Sequence, residues 1–244
     1  MRAFSYLKLL MLLFLLSFSI PAHSQFNVQF HYDFGRHLYS SDEGNRQYFT
    51  TTVENFTPDK WGSTYLFVDF DYRNEDAMSA YWEISRELKF WQAPLAVHVE
   101  YNGGLNTHGG FGNAYLAGPA LNLHSQDFSK TLSVQALYKY LAKTDQPHSW
   151  QLTLVWGNTF ANGKGTFCGF MDLWHDNRVQ SNLVFLSEPQ LWVNLNKFKG
   201  VHPKFNLSIG TEVELSSHFV YSAVTGKNTR FYVNPTLALK WTFN

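Results

Sequence analysis

The sequence predicts an all-β chain, a transmembrane antiparallel up-and-down β-barrel of about 12 strands. Three observations predict it. From residue 26 almost to the end, apolar and polar residues alternate with a period of two, which sends successive side chains to opposite faces of a strand. The alternating segments run for roughly ten residues, the length of a tilted strand crossing a bilayer. Aromatic residues make up 18% of the chain and charged residues only 16%, against a usual charged share of about 25%. Mean hydropathy is nevertheless slightly negative, at −0.25. That balance excludes a disordered chain and a helical membrane protein.

The first element is an export signal. Arg2 and Lys8 flank the start of an apolar run, Leu9 to Ile20, which Pro21 breaks. Ala22 and Ser24 then place small residues at the −3 and −1 positions before Gln25. These are the parts of a secretory signal peptide, so residues 1–24 are expected to be removed and 25–244 to form the outer-membrane barrel. A membrane anchor is the competing reading, and the run is short for one. No Cys follows the cleavage site, which excludes a lipoprotein anchor. Removing Arg2 and Lys8 from 19 basic residues leaves 17 against 19 acidic ones. No strongly basic surface is left for nucleic acid. Cys168 is the one cysteine, which excludes a disulfide framework and a Cys-rich zinc site.

Twelve strand segments follow, at about 26–35, 47–56, 61–72, 78–90, 94–103, 111–123, 131–140, 149–158, 165–175, 181–195, 204–215 and 230–243. In the first, Phe26, Val28, Phe30, Tyr32 and Phe34 oppose Asn27, Gln29, His31 and Asp33. Three segments carry weaker signals. Residues 111–123 contain Gly118-Pro119, and 165–175 alternate poorly. Pro189 makes 181–195 either two short strands or one strand with a bulge. The first connection, Arg36 to Arg46, is long and polar; the second, Thr57 to Lys60, is short; the third runs Arg73 to Ala77. The fourth is tight around Pro94 and the last spans about 216–229. That is the alternation of long external loops and short periplasmic turns, although Asn158 to Lys164 is longer than a tight turn.

Period two alone does not separate a soluble barrel from a membrane barrel. The polar faces decide, because Asp, Glu, His and Asn on them are costly to bury in a small apolar cavity, whereas a wider barrel hydrates them. Aromatics also gather at strand ends, as at Tyr32, Trp61, Tyr72, Phe90, Trp91, Tyr140, Trp150 and Trp241, where interfacial girdles lie. Trp241-Thr242-Phe243 gives an aromatic-rich final strand, one residue short of the end at Asn244.

Strict alternation gathers the candidate pore-lining and substrate-binding residues on the polar face. They are His31 and Asp33; Tyr65, Phe67, Asp69 and Asp71; Tyr81, Glu83 and Glu87; His98 and Glu100; and Glu212 and Glu214. Rings of acids favour cations, and aromatic surfaces beside hydrogen-bonding groups suit a small polar ring compound. The structural alternative is that the acids pair with Lys and Arg and merely brace the wall. Arg86 falls on the apolar face with Trp82 and Ile84. Either a bulge turns it toward Glu83 or Glu87, the expectation taken here, or it snorkels at the interface. Catalytic residues are not expected. Ser85 with His98, or His175 with Asp172, can be paired on paper, but neither has a recognisable motif. No metal ligand set or cofactor is expected. Gly109-Gly110-Phe111-Gly112 is a loop and not a phosphate cradle, because no helix follows it.

The segments Asp59-Lys60-Trp61-Gly62-Ser63-Thr64-Tyr65-Leu66-Phe67-Val68-Asp69-Phe70-Asp71-Tyr72 and Tyr81-Trp82-Glu83-Ile84-Ser85-Arg86-Glu87 resemble the nucleoside-specific channel-forming (Tsx-like) outer-membrane proteins. More closely they resemble an uncharacterised Gram-negative group near them. Val99 to Gly104 and Ser187 to Trp192 fit the same resemblance. It implies a twelve-strand monomeric barrel with a narrow pore and, less firmly, nucleoside passage; no nucleoside-site residue can be carried over. The expected function is passive diffusion of small polar solutes through an outer-membrane channel. The expected partners are outer-membrane lipid, those solutes and the barrel-assembly machinery during biogenesis. An outer-membrane enzyme acting on lipid and a closed binding barrel are the alternatives.

Overall fold

Every alternating segment finds two neighbours, and the sheet closes on itself. The computed structural model describes residues 24–43, 46–73, 76–177, 179, 182–219 and 231–243. The strands are β1 (Gln25–Asp33), β2 (Phe49–Asp59), β3 (Gly62–Arg73), β4 (Asp76–Leu88), β5 (Leu95–Asn106) and β6 (Ala114–His124). Then come β7 (Lys130–Leu141), β8 (His148–Phe160) and β9 (Gly165–His175). The tenth, β10, is in two halves, Leu183–Ser187 and Gln190–Asn194, followed by β11 (Leu207–Ser217) and β12 (Phe231–Phe243). All pair antiparallel with their sequence neighbours, and β12 pairs with β1 from Phe243↔Phe26 to Thr236↔Asp33. The result is a closed twelve-strand barrel without a free edge. The proposed signal peptide lies outside the described residues except for Ser24, and the last loop lies partly outside them.

Burial is inverted relative to a water-soluble barrel. Phe30, Val97, Leu152, Leu191, Leu237 and Leu239 point outward and are exposed, whereas Gln29, His31, Gln151, Ser208 and Asn234 point inward and are buried. An apolar core in the usual sense shrinks to a small cluster, Ala114, Leu116 and Leu137 with Leu141 beside it. Outward aromatics meet near the strand ends, as in Phe26–Phe243, Trp61–Phe90 and Phe205–Trp241.

The weak segments are strands too. β9 pairs with β8 from Gly165 to Trp174. Its alternation is blurred because Phe170 and Trp174 face inward while Phe167 and Leu173 face outward. β10 is one strand whose ladder is interrupted at Glu188-Pro189, with the same register to β11 on both sides and hence no inserted residue. In β6, Gly118 lets β7 approach closely: a Cβ there would lie 2.1 Å from the Ala136 carbonyl oxygen.

Two expectations need correction. No bulge resets Arg86. Register between β3 and β4 is unbroken from Gly62↔Leu88 to Asp71↔Ser79, and Arg86 stays outward opposite Thr64. It reaches Asp59 at the β2–β3 turn, with Nη1 2.6 Å from Oδ2, which solvates the charge without turning the strand. The register shift lies instead beyond Asp71, where Ala77 pairs with Tyr72 and Met78 is extra. The long-and-short rule also weakens, because β3 and β4 are separated by only two residues at the supposedly long-looped end.

Candidate functional site

The inward face of the barrel is the candidate site, and it has two differently built regions. The first lies at the mouth formed by the ends of β1, β11 and β12. After β1 the chain turns inward through two single-turn helices, α1 (Gly35–Leu38) and α2 (Ser40–Glu43). Asp33 accepts from the Gly35 N–H at 2.6 Å. Arg46 reaches the same carboxylate at 2.9 Å and Glu214 at 2.8 Å. Glu43 is buried with its Oε1 accepting from Asn234 at 3.2 Å. Burial pushes the Glu43 carboxyl up to about 7, although Arg46 and the Asn234 amide pull the other way. Below this clamp, His31 is held between Gln29 at 3.1 Å and Thr236 at 3.3 Å. Its Nδ1 is 3.9 Å from Glu212, and its ring meets Trp192 edge-on. Lys240 lies over that indole, 4.0 Å from the ring centre.

The second region is the wall made by β2 to β5. Register places Glu54 opposite Phe67, Thr52 opposite Asp69 and Thr50 opposite Asp71. On the other side of β3, Glu83, Tyr81 and Ser79 oppose Phe67, Asp69 and Asp71. The acids here take hydroxyl, amide and imidazole donors. Thr50 and Ser79 hydroxyls bond Asp71, and Thr52 bonds Asp69. Tyr65 bonds Glu54, and Tyr81 bonds Glu83 at 2.6 Å. Asn122 bonds Glu87 at 2.6 Å, and His98 donates to Glu100 at 3.0 Å. Among the described residues, no Lys or Arg comes within ion-pair distance of Asp69, Asp71, Glu83, Glu87 or Glu100; the Arg ion pairs are those of Arg46 and Arg86. Four rings run along this wall, with centres 6.0 Å apart for Tyr65–Phe67, 6.0 Å for Phe67–Tyr81 and 6.3 Å for Tyr81–Phe111. Phe111 comes from the loop after β5 and packs on Gly104, where a Cβ would lie 2.2 Å from its ring.

All thirteen candidate residues therefore lie on the inward face, and the barrel sorts them. Asp33 and Glu214 join a clamp, and His31 and Glu212 are locked in a network with Gln29, Thr236 and Gln190. Tyr65, Phe67, Asp69, Asp71, Tyr81, Glu83, Glu87, His98 and Glu100 form one continuous wall. Sequence reasoning missed Glu54, which the run Thr50, Thr52, Glu54 marks as inward by period alone. It also missed the clamp pair Arg46 and Glu43, which sit in an aperiodic loop and carry no such signal. Neither paper dyad forms. His98 bonds Glu100, not Ser85, and His175 stacks outward on Trp150 while Asp172 bonds Thr153 within the barrel. Among the described residues, no group of three His, Cys, Asp or Glu could hold a metal ion. Cys168 is an inward wall residue 3.7 Å from Gln190 Oε1.

Known structures share this architecture. The KdgM porin, solved in complex with disordered oligogalacturonate, is 10% identical and superposes with a TM-score of 0.51 over 90% of this chain and 99% of that one. The NanC porin is 11% identical, with a TM-score of 0.56 over 89% of this chain and 100% of that one. At such identities the likeness is one of fold. No curated protein matches the sequence. The family described as "Domain of unknown function (DUF5020)" matches residues 25–243. The match takes in every strand of the barrel, and the chain belongs to that family.

Proposed function

We propose that the chain is an outer-membrane channel through which small polar solutes diffuse passively. One observation carries this reading: the closed barrel is apolar outside and acidic and hydrogen-bonding inside. Such a wall is satisfied by hydrocarbon on one side and water on the other. The barrel fold shared with the KdgM and NanC porins supports it. Residues 1–24 act as the export signal, lipid surrounds the outer face, and the barrel-assembly machinery inserts it as a monomer. Weak binding at several lumen positions selects solutes and still releases them.

The charge of the wall narrows the solute. KdgM was solved with oligogalacturonate, a polyanion. Here a polyanion would meet Asp69, Asp71, Glu83 and Glu100 without Lys or Arg partners, so neutral and cationic solutes are favoured. Nucleosides fit the rings and acceptors of β3 and β4, as the resemblance to nucleoside channels implies. The test is reconstitution into liposomes, with swelling followed in nucleosides, sugars, amino acids and uronates. Swelling in nucleosides or amino acids and not in oligouronates is the expected result. A processed chain that stays monomeric and folded without detergent, or liposomes that never swell, would overturn the channel.

A further inference from the structure

The β4–β5 part of the wall has too many acceptors for its donors. Glu83 lies directly opposite Asn102, and Glu100 is two residues along the same strand, about 7 Å away. Tyr81 supplies one bond to Glu83, and His98 supplies one to Glu100. The second oxygen of each carboxylate has no donor among the described residues. Asn102 is only 6% exposed, and its Oδ1 has no partner among the described residues. Leaving a buried acceptor unmade is costly, and acceptors outnumber donors here even counting His98 Nδ1, which is also buried without a hydrogen-bond partner among the described residues. Two more charges face the group across the barrel, Asp172 from β9 and Lys139 from β7, both within electrostatic reach of Glu83. Lys139 is engaged on its own side, 2.7 Å from Gln151 Oε1 and 4.4 Å from the centre of the Trp174 ring. Three carboxylates thus stand with one ammonium and with the His98 imidazole, which lies 3.0 Å from Glu100 and 3.7 Å from a fourth carboxylate, Glu87.

We propose that Glu83, Glu100 and Asn102 form a subsite for the primary ammonium of an aromatic amine, whose ring lies on the Phe67–Tyr81–Phe111 ladder. A primary ammonium carries three donors and no acceptor, which matches three oxygens lacking donors. Its charge suits the acidic surroundings, and cation–π attraction to the neighbouring rings adds to the fit. A bare metal ion fits less well, because no three carboxylate or imidazole groups converge on one point among the described residues. The inference deepens the channel reading and rests on it for biological meaning, but binding can be measured without conduction.

Calorimetry on the folded protein in detergent micelles, with phenethylammonium as the probe, tests the subsite. Phenethylammonium is expected to bind at least about tenfold more tightly than 2-phenylethanol or phenylacetate. E83Q/E100Q should lose at least about tenfold, while N102D, which adds a charge beside the same oxygens, should tighten binding. Should the double variant fail to refold, N102D decides by the sign of its effect. Charge-blind binding, unchanged affinity in E83Q/E100Q, or weaker binding in N102D overturns the subsite. Planar-bilayer conductance separates the two ideas: current without selective amine binding removes the subsite alone, and absence of current with selective binding removes the channel alone.

Discussion

The mouth clamp and the β2–β5 wall use the same acids for opposite ends. At the mouth, Asp33 and Glu214 share Arg46, and all three are nearly out of contact with water. On the wall, Asp69, Asp71, Glu83 and Glu100 are held by hydroxyls and an imidazole, with no Lys or Arg beside them. A buried carboxylate with a guanidinium partner has spent its charge on the fold. A carboxylate held by hydroxyls, as Asp69, Asp71 and Glu83 are, keeps most of its field and can act on whatever enters the lumen. Position on the inward face does not separate brace from filter; the partner does.

Breaking the clamp gives the largest expected effect. Arg46→Ala strands two buried carboxylates and should destabilise the folded barrel by about 3–5 kcal/mol, the cost of removing one partner of a buried ion pair. Urea unfolding in micelles, read by loss of β-sheet circular dichroism, measures it. A loss under about 1 kcal/mol, the scale of an exposed pair, would mean that the clamp is decorative and would erase the contrast with the wall.

The wall should respond in the opposite sense. Replacing Asp69 and Asp71 with Asn and Glu100 with Gln leaves an oxygen for Thr52, for His98 and for one of the two hydroxyls on Asp71, while the new amide N–H donates to the other hydroxyl oxygen, so the unfolding midpoint should barely move. The reversal potential under a salt gradient should fall roughly by half, as the acids that favour cations are neutralised. Unchanged ion selectivity with unchanged stability would take these acids out of the filter. A collapse of stability would make the wall a second brace.

How much of this was legible in the chain follows from the range of each signal. Period two is local, so the strands and their two faces could be read directly, including the inward run Asp69, Asp71. Pairing between distant segments is not local. Arg46 is 13 residues from Asp33 and 168 from Glu214, and nothing near it in the chain says which acids it will take. Arg86 shows the same limit from the other side. Its place on the apolar face suggested a bulge, because Asp59, 27 residues earlier, reaches it only once β2, β3 and β4 have paired. The β10 interruption at Pro189 was visible as a break, but its unshifted register is set by β9 and β11 together.

The smallest expected effect sharpens the clamp itself. Glu43 faces Arg46, Asp33, Glu214 and Asn234, and its carboxyl is held at about 7 against 4.5 for the free group. Because the docked state holds the proton more tightly, docking of the inward segment is strongest below about pH 4.5 and weakens as pH rises. The loss is complete above about 7, where a buried anion must be kept beside two other carboxylates with one Arg46 to share. Hydrogen exchange of the α1–α2 amides, corrected for the intrinsic pH dependence, should therefore show protection falling between about pH 4.5 and 7. E43Q should flatten that fall while keeping the Asn234 contact. Protection that declines equally in E43Q would assign the pH response to another group and leave Arg46 as the whole of the clamp.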